Sequence, residues 1–144
     1  NKDLMMTDQE VRDEMKTLSG DPQIAARRRA IQRQLTLNRM ASIVPQADVV
    51  VTNPTELAIA IRYDVETMPA PIVLAKGAGV LAQRIRRLAL ENDISIVERK
   101  ELAQTLYREV DVNQSIPSEQ YAFVAEILRY VYELKGKSVQ RPAA

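Results

Sequence analysis

The chain has 144 residues, 46% of them hydrophobic, and carries 20 Lys and Arg against 19 Asp and Glu, a net charge of +1. That length supports one domain with a modest core, and the charge balance gives no general reason to expect nucleic acid as a partner. There is no Cys and no His, which excludes disulfides, Cys/His zinc sites, a catalytic thiol and an imidazole base or pH switch. Chemistry is left to carboxylates, hydroxyls, amides, Lys and the backbone, and no cofactor is expected. No apolar run approaches the ~18 residues of a membrane span. Asn1-Lys2-Asp3 leads into charged sequence rather than a signal peptide, and a start at Asn is compatible with a piece of a longer chain.

The first 21 residues hold three basic and six acidic side chains, whereas residues 22–44 hold Arg27, Arg28, Arg29, Arg33 and Arg39 and no acid. Thr7-Asp8-Gln9-Glu10 has the form of a capping box, followed by a thin stripe of Val11, Met15 and Leu18. Ser19-Gly20-Asp21-Pro22 ends that helix and starts another, with Asp21 as cap and Pro22 in its first position. Ile24, Ile31 and Leu35 recur with helical spacing until Pro45 stops the pattern. One narrow stripe anchors a long helix weakly, so a protruding helical arm is expected over residues 1–44.

Past Pro45 the texture becomes that of a compact body, residues 45–137, with a flexible tail expected at 138–144. Asp48-Val49-Val50-Val51 reads as a strand. Leu57 to Tyr63 alternates large apolar residues with Ala58, Ala60 and Arg62, a second strand. Pro71 to Ala75 predicts a third, ended by Lys76-Gly77, and a helix follows with Leu81, Ile85, Leu88 and Ala89 inward. Ile94 to Val97 is a fourth strand, parallel to the third through a crossover. Leu102, Leu106 and Tyr107 mark a short helix. Ser118, after Pro117, opens a last one whose inner face is Tyr121, Val124, Ala125, Leu128, Val131 and Tyr132. The expected fold is α/β, a small four-stranded mixed sheet surrounded by helices.

Thr52-Asn53-Pro54-Thr55-Glu56 joins the first two strands. Asn and Pro favour turns, and a structural turn is the plain reading. The chemical reading is self-cleavage. The Asn53 amide nitrogen attacks the Asn53 carbonyl, closes a succinimide and expels Pro54, whose lack of an N–H closes the competing route. That needs a turn holding the groups together, polarisation of the carbonyl and a proton for the departing nitrogen. Thr52, Thr55, Glu56 and backbone amides are the groups at hand.

The stretches "MTDQEVRDEMKTLSGDP", "RRR", "ADVVVTNPTELAIAIRYD", "APIVLAKGAG", "LAQRIRRLALENDISIVERKELAQTLY" and "IPSEQYAFVAEILRYVYELK" follow in order along nearly the whole chain. In them the chain resembles the cytoplasmic domain of the export-apparatus switch proteins of type III secretion, more the flagellar than the injectisome branch. The resemblance implies a preceding four-helix membrane region and a place on the cytoplasmic face of the bacterial inner membrane. It also implies an Asn-Pro-Thr-His loop that cleaves itself between Asn and Pro, here Asn53, Pro54 and Thr55. Cleavage accompanies a switch of export from rod and hook to filament substrates. The implied partners are export-gate membrane proteins, the hook-length ruler, export substrates and ATPase-side components. Glu56 stands where the family has His. A carboxylate with a reference pKa of ~4.3 mostly accepts rather than donates, so cleavage is expected to persist, more slowly. The alternative is a docking domain of the same apparatus that stays whole.

Arg27, Arg28, Arg29 and Arg33 read as a solvated helix face or, beneath a membrane, as a contact for acidic lipids. No aromatic interleaving supports nucleic-acid binding. Lys76-Gly77-Ala78-Gly79 lacks the full phosphate-loop pattern, so a nucleotide-binding domain is the weakest reading, and the glycines are expected to permit a tight strand-to-helix turn. Lys76 is expected at the exposed sheet end. Arg84, Arg86, Arg87, Arg99 and Lys100 could form a second basic surface. Tyr107, Tyr121, Tyr130 and Tyr132 read as core or rim packing, and Asp64 with Glu66 lacks a third carboxylate for a metal.

Overall fold

Three consecutive valines favour an extended chain, because branching at Cβ restricts rotamers in a helix and packs well on a pleated surface. In the computed structural model, which describes residues 21–138, they open β1 (Val49–Asn53). It is followed by β2 (Leu57–Arg62), β3 (Ile72–Ala78) and β4 (Ser95–Glu98). The helices are α1 (Pro22–Ile43), α2 (Val80–Glu91), α3 (Lys100–Glu109) and α4 (Ser118–Ser138), with a short 3₁₀ turn at Val44–Gln46. The capping box at Thr7 and the stripe of Val11, Met15 and Leu18 lie outside the described residues, as do residues 139–144. Among the described residues no helix is long and apolar enough to cross a membrane.

The chain divides between Asn38 and Arg39. In the first unit, Asp21 caps α1, its Oδ1 accepting the Gln23 N–H at 2.9 Å. Ile24, Ile31 and Leu35 on this helix are exposed. Pro45 ends the α-helical run two residues after Ile43, inside the 3₁₀ turn.

In the second unit the strand order is β3-β2-β1-β4. β1 pairs antiparallel with β2 and parallel with β4, and β2 pairs antiparallel with β3. β3 and β4 therefore run parallel, as expected of the crossover, although β2 and β1 stand between them. Alternation divides the side chains between two cores. Val49, Val51, Ile59, Ile61, Val73 and Val97 meet Ala103 and Leu106 of α3 and Val124, Ile127, Leu128 and Val131 of α4. On the other face Val50, Ala58, Ala60, Leu74 and Ala75 meet Ala82, Ile85, Leu88 and Ala89 of α2, together with Met40 and Val44. Leu74 joins Ala75 on that face because the register shifts at Ala60/Ile61, a bulge. Burying each large aliphatic side chain stabilises by about 1.5–3 kcal/mol, and the small alanines let α2 lie close to the strands.

Two local expectations are corrected. Lys76 and Gly77 lie inside β3, because pairing with Ile59 and Ala58 carries the strand on to Ala78. Lys76 is not at an open sheet end either. Its side chain is 21% exposed, its Nζ donates to the Tyr107 carbonyl at 2.8 Å and stands 5.2 Å from that ring's centre, and Asp111 is 3.9 Å away.

Candidate functional site

β1 and β2 stay paired up to Asn53 opposite Leu57, which leaves Pro54, Thr55 and Glu56 as the connection. The Glu56 N–H donates to the Asn53 carbonyl at 3.0 Å, closing a four-residue turn. Pro54 fixes the first central position at negative φ, and Thr55 takes the second at φ 62°. That combination is a type II turn, in which the second central residue is normally Gly or Asn. A β-branched residue there is strained, at a cost of order 1–3 kcal/mol.

Asn53 is 4% exposed, whereas Pro54, Thr55 and Glu56 are exposed. The Asn53 Nδ2 donates to Glu56 Oε2 at 3.0 Å. Glu56 thus touches Asn53 twice: its amide holds the carbonyl oxygen and its carboxylate holds the side-chain nitrogen. All four residues singled out in the sequence come together here. Thr52, 4% exposed, is held from the other side, its carbonyl accepting the Arg99 N–H at 2.9 Å where α3 begins. The Glu56 carbonyl accepts the Gly79 N–H at 3.0 Å, and Gln83 Nε2 lies 3.5 Å from the Thr55 carbonyl. Sequence reasoning named local backbone amides in general, but not Gly79, Gln83 or Arg99. Their only sequence signal is the glycine that opens α2.

Arg27, Arg28, Arg29 and Arg33 are exposed on α1. Arg87, Arg99 and Lys100 are exposed, Arg84 and Arg86 half-buried. Tyr107, Tyr121 and Tyr132 are half-buried against the first core or its rim, while Tyr130 is 53% exposed. Tyr63 and Tyr121 share a hydroxyl contact of 2.8 Å that raises the Tyr63 pKa. Asp64 accepts the Glu66 N–H at 3.0 Å and the Thr67 hydroxyl at 2.9 Å. Those two bonds hold its carboxyl below its ordinary value. Among the described residues no three acidic groups gather as metal ligands. Clefts of about 620 Å³ beside Asp48, Arg62 and Asp64 and of about 550 Å³ beside Leu102, Phe123 and Ile127 do not include the turn. Chemistry in which the chain is its own substrate needs no such cavity.

The profile described as the FlhB HrpN YscU SpaS family matches residues 1–131. The chain belongs to this family. Flagellar biosynthetic protein FlhB of Bacillus subtilis (strain 168) is 45% identical over 136 residues, 94% of this chain and 38% of that protein. The chain thus spans little more than a third of the length of the curated relatives it matches. The crystal structure of the cytoplasmic domain of FlhB from Shewanella putrefaciens is similar at a TM-score of 0.67 and 37% identity, over 75% of this chain and 85% of that one. Over that span this member of the family is therefore similar to the cytoplasmic domain of FlhB. The EscU C-terminal domain with an asparagine changed to alanine is similar at a TM-score of 0.62 and 30% identity, over 64% of this chain and 92% of that one. Other EscU C-terminal domain structures change the proline that follows that asparagine and the histidine two residues beyond.

Proposed function

We propose that this FlhB-type domain controls the switching of substrate specificity in a flagellar protein-export gate and cuts itself once, between Asn53 and Pro54. The observation that carries the reading is the double hold of Glu56 on Asn53, at 3.0 Å through its amide and 3.0 Å through its carboxylate. The spacing Asn53-Pro54-Thr55-Glu56 also repeats that of the asparagine, proline and histidine changed in EscU, with Glu56 at the histidine's place.

The Glu56 carboxylate takes a proton from Asn53 Nδ2 as that nitrogen attacks the Asn53 carbonyl carbon. The negative oxygen that forms is met by the Glu56 N–H, a donor already in position. The C–N bond to Pro54 then breaks, and the proton held by Glu56 passes to the Pro54 nitrogen. The products are a chain ending in a succinimide and a chain beginning with a secondary amine, and water later opens the ring. The proton lent to Glu56 is returned, so one side chain serves as base and then as acid. The strain at Thr55 is released when the turn opens. This is a single event per molecule, not turnover.

The cut leaves β1 and β2 still paired, so the domain stays assembled and the effect on export comes through the freed loop ends. The partners of this reading are the other gate membrane proteins, the hook-length ruler, export substrates and ATPase-side components, at the cytoplasmic face of the inner membrane. Arg27, Arg28, Arg29 and Arg33 would face acidic lipid headgroups there.

A denaturing intact-mass spectrum of fresh protein, with Asn53→Ala alongside, tests the cut. Two species, one ending at residue 53 and one beginning at Pro54, both absent from the variant, are expected. A single 16.2 kDa species that persists on long incubation would overturn cleavage and leave the docking-domain reading.

A further inference from the structure

The corner between β3 and α2 carries two glycines with different reasons for being glycine, and both bear on the turn that holds Asn53. A Cβ on Gly77 would come within 2.7 Å of Leu81 Cβ and 2.9 Å of the Leu81 carbonyl carbon. Only a residue without a side chain lets the first turn of α2 descend this far onto the strand. Gly79 is the opposite case, since a Cβ there would meet nothing within 4 Å. Its reason is conformational, with φ 59° and ψ −121°, a region open essentially to glycine. That conformation aims the Gly79 N–H at the Glu56 carbonyl, 3.0 Å away. Gln83, one turn on and donating its own N–H to the Gly79 carbonyl at 3.1 Å, brings its side-chain amide to 3.5 Å from the Thr55 carbonyl.

We infer that this corner is a positioning element for the self-cleavage reaction, with Gly79 and Gln83 acting through Glu56; the inference rests on the cleavage proposed above. Glu56 is pinned at both ends of its own residue, its N–H on Asn53 and its carbonyl under Gly79. With both flanking peptides fixed, the Glu56 side chain has few ways to leave Asn53 Nδ2. The same bonds keep Thr55 in its left-handed conformation. Neither Gly79 nor Gln83 touches the reacting atoms, so each is a positioning residue and not a catalytic one.

The test is a double-mutant cycle read as a rate. The full chain is synthesised in a cell-free pulse, synthesis is stopped, and the fragment beginning at Pro54 is followed by denaturing mass spectrometry. Gly79→Ala is expected to slow cleavage about tenfold or more and Gln83→Ala about threefold. Gln83→Arg, which keeps a donor, is expected to recover most of the Gln83→Ala loss. Each is repeated with Glu56→Gln, where contributions that act through Glu56 cease to add. In that background Gly79→Ala and Gln83→Ala are expected to slow the residual rate clearly less than in the parental chain, what is left passing through Thr55 and the Glu56 N–H. Full additivity, or a Gln83→Ala chain that cleaves at the parental rate while Gly79→Ala fails only by melting, would overturn the inference and leave the cleavage reading standing. A parental chain that stays whole would overturn both, and so the two failures are told apart in one experiment.

Discussion

Thr55 and Gly79 sit at the same end of the sheet with nearly the same φ, 62° and 59°. At Gly79 that conformation costs little, because there is no Cβ to collide. At Thr55 a β-branched side chain occupies it. The other positive-φ positions among the described residues are Asp93 and Asn113, types whose short polar side chains tolerate the region. The misfit between residue and conformation is thus confined to the turn that holds the Asn53–Pro54 bond. Two neighbouring turns of similar φ therefore differ in kind: one is relaxed, the other is strained and is where the proposed cut falls.

The largest expected effect separates chemistry from strain. Glu56→Gln keeps a side-chain oxygen near Asn53 Nδ2 and the backbone N–H on its carbonyl, but it cannot take and return a proton. Loss of a positioned base or acid is expected to slow cleavage about 10²-fold or more, read as the half-time of the fragment beginning at Pro54. A change of under threefold would mean that strain and the turn alone drive the reaction. Next in size, Gly77→Ala forces Leu81 and the start of α2 away from the strand. Overpacking of this kind is expected to cost about 1–3 kcal/mol, measured by urea unfolding in an Asn53→Ala chain so that cutting does not intervene. Thr55→Gly tests the strained turn directly. Relief of the left-handed threonine, less the entropy a glycine adds to the unfolded chain, is expected to raise stability by about 1 kcal/mol in the same background. In the cleavable chain it is expected to slow the cut a few-fold. Faster cleavage in Thr55→Gly would reverse the assignment of strain.

Much of this architecture is legible in the residues. The alternation of Leu57 to Tyr63 separates the two faces of β2, and the spacing of Ile85, Leu88 and Ala89 gives the buried side of α2. What escapes local reading depends on distant partners. Lys76 looks like a strand end until β2 pairs with it, and its amine is taken by a carbonyl of α3. Ile127 lies in the core although the last helix reads without it, because α4 buries a broader face than one stripe. At the turn, Asn53 and Pro54 suggest the proposed cut through covalent chemistry alone. The N–H groups of Glu56, Gly79 and Arg99 do not, since every residue but proline has one and only the fold aims it.

The smallest expected effect comes from the opposite end of the sheet, beyond Arg62, where Asp64 holds a turn by side-chain bonds instead of by a strained φ. The Glu66 N–H and then the Thr67 hydroxyl stabilise its ionised form, and its carboxyl is held below the ordinary 3.8. A carboxyl depressed in the folded state contributes fully above its unfolded value and loses that contribution as pH falls through the folded one. Below about pH 4, then, the melting temperature of the Asn53→Ala chain should fall, and Asp64→Asn should make that acid limb shallower while lowering stability slightly at neutral pH. Because this turn is separated from Asn53 by the length of β2, Asp64→Asn should leave the cleavage half-time at neutral pH unchanged. A change in that half-time would show that the two ends of the sheet are coupled, and that the turn at Asn53 draws on more of the fold than the corner beside it.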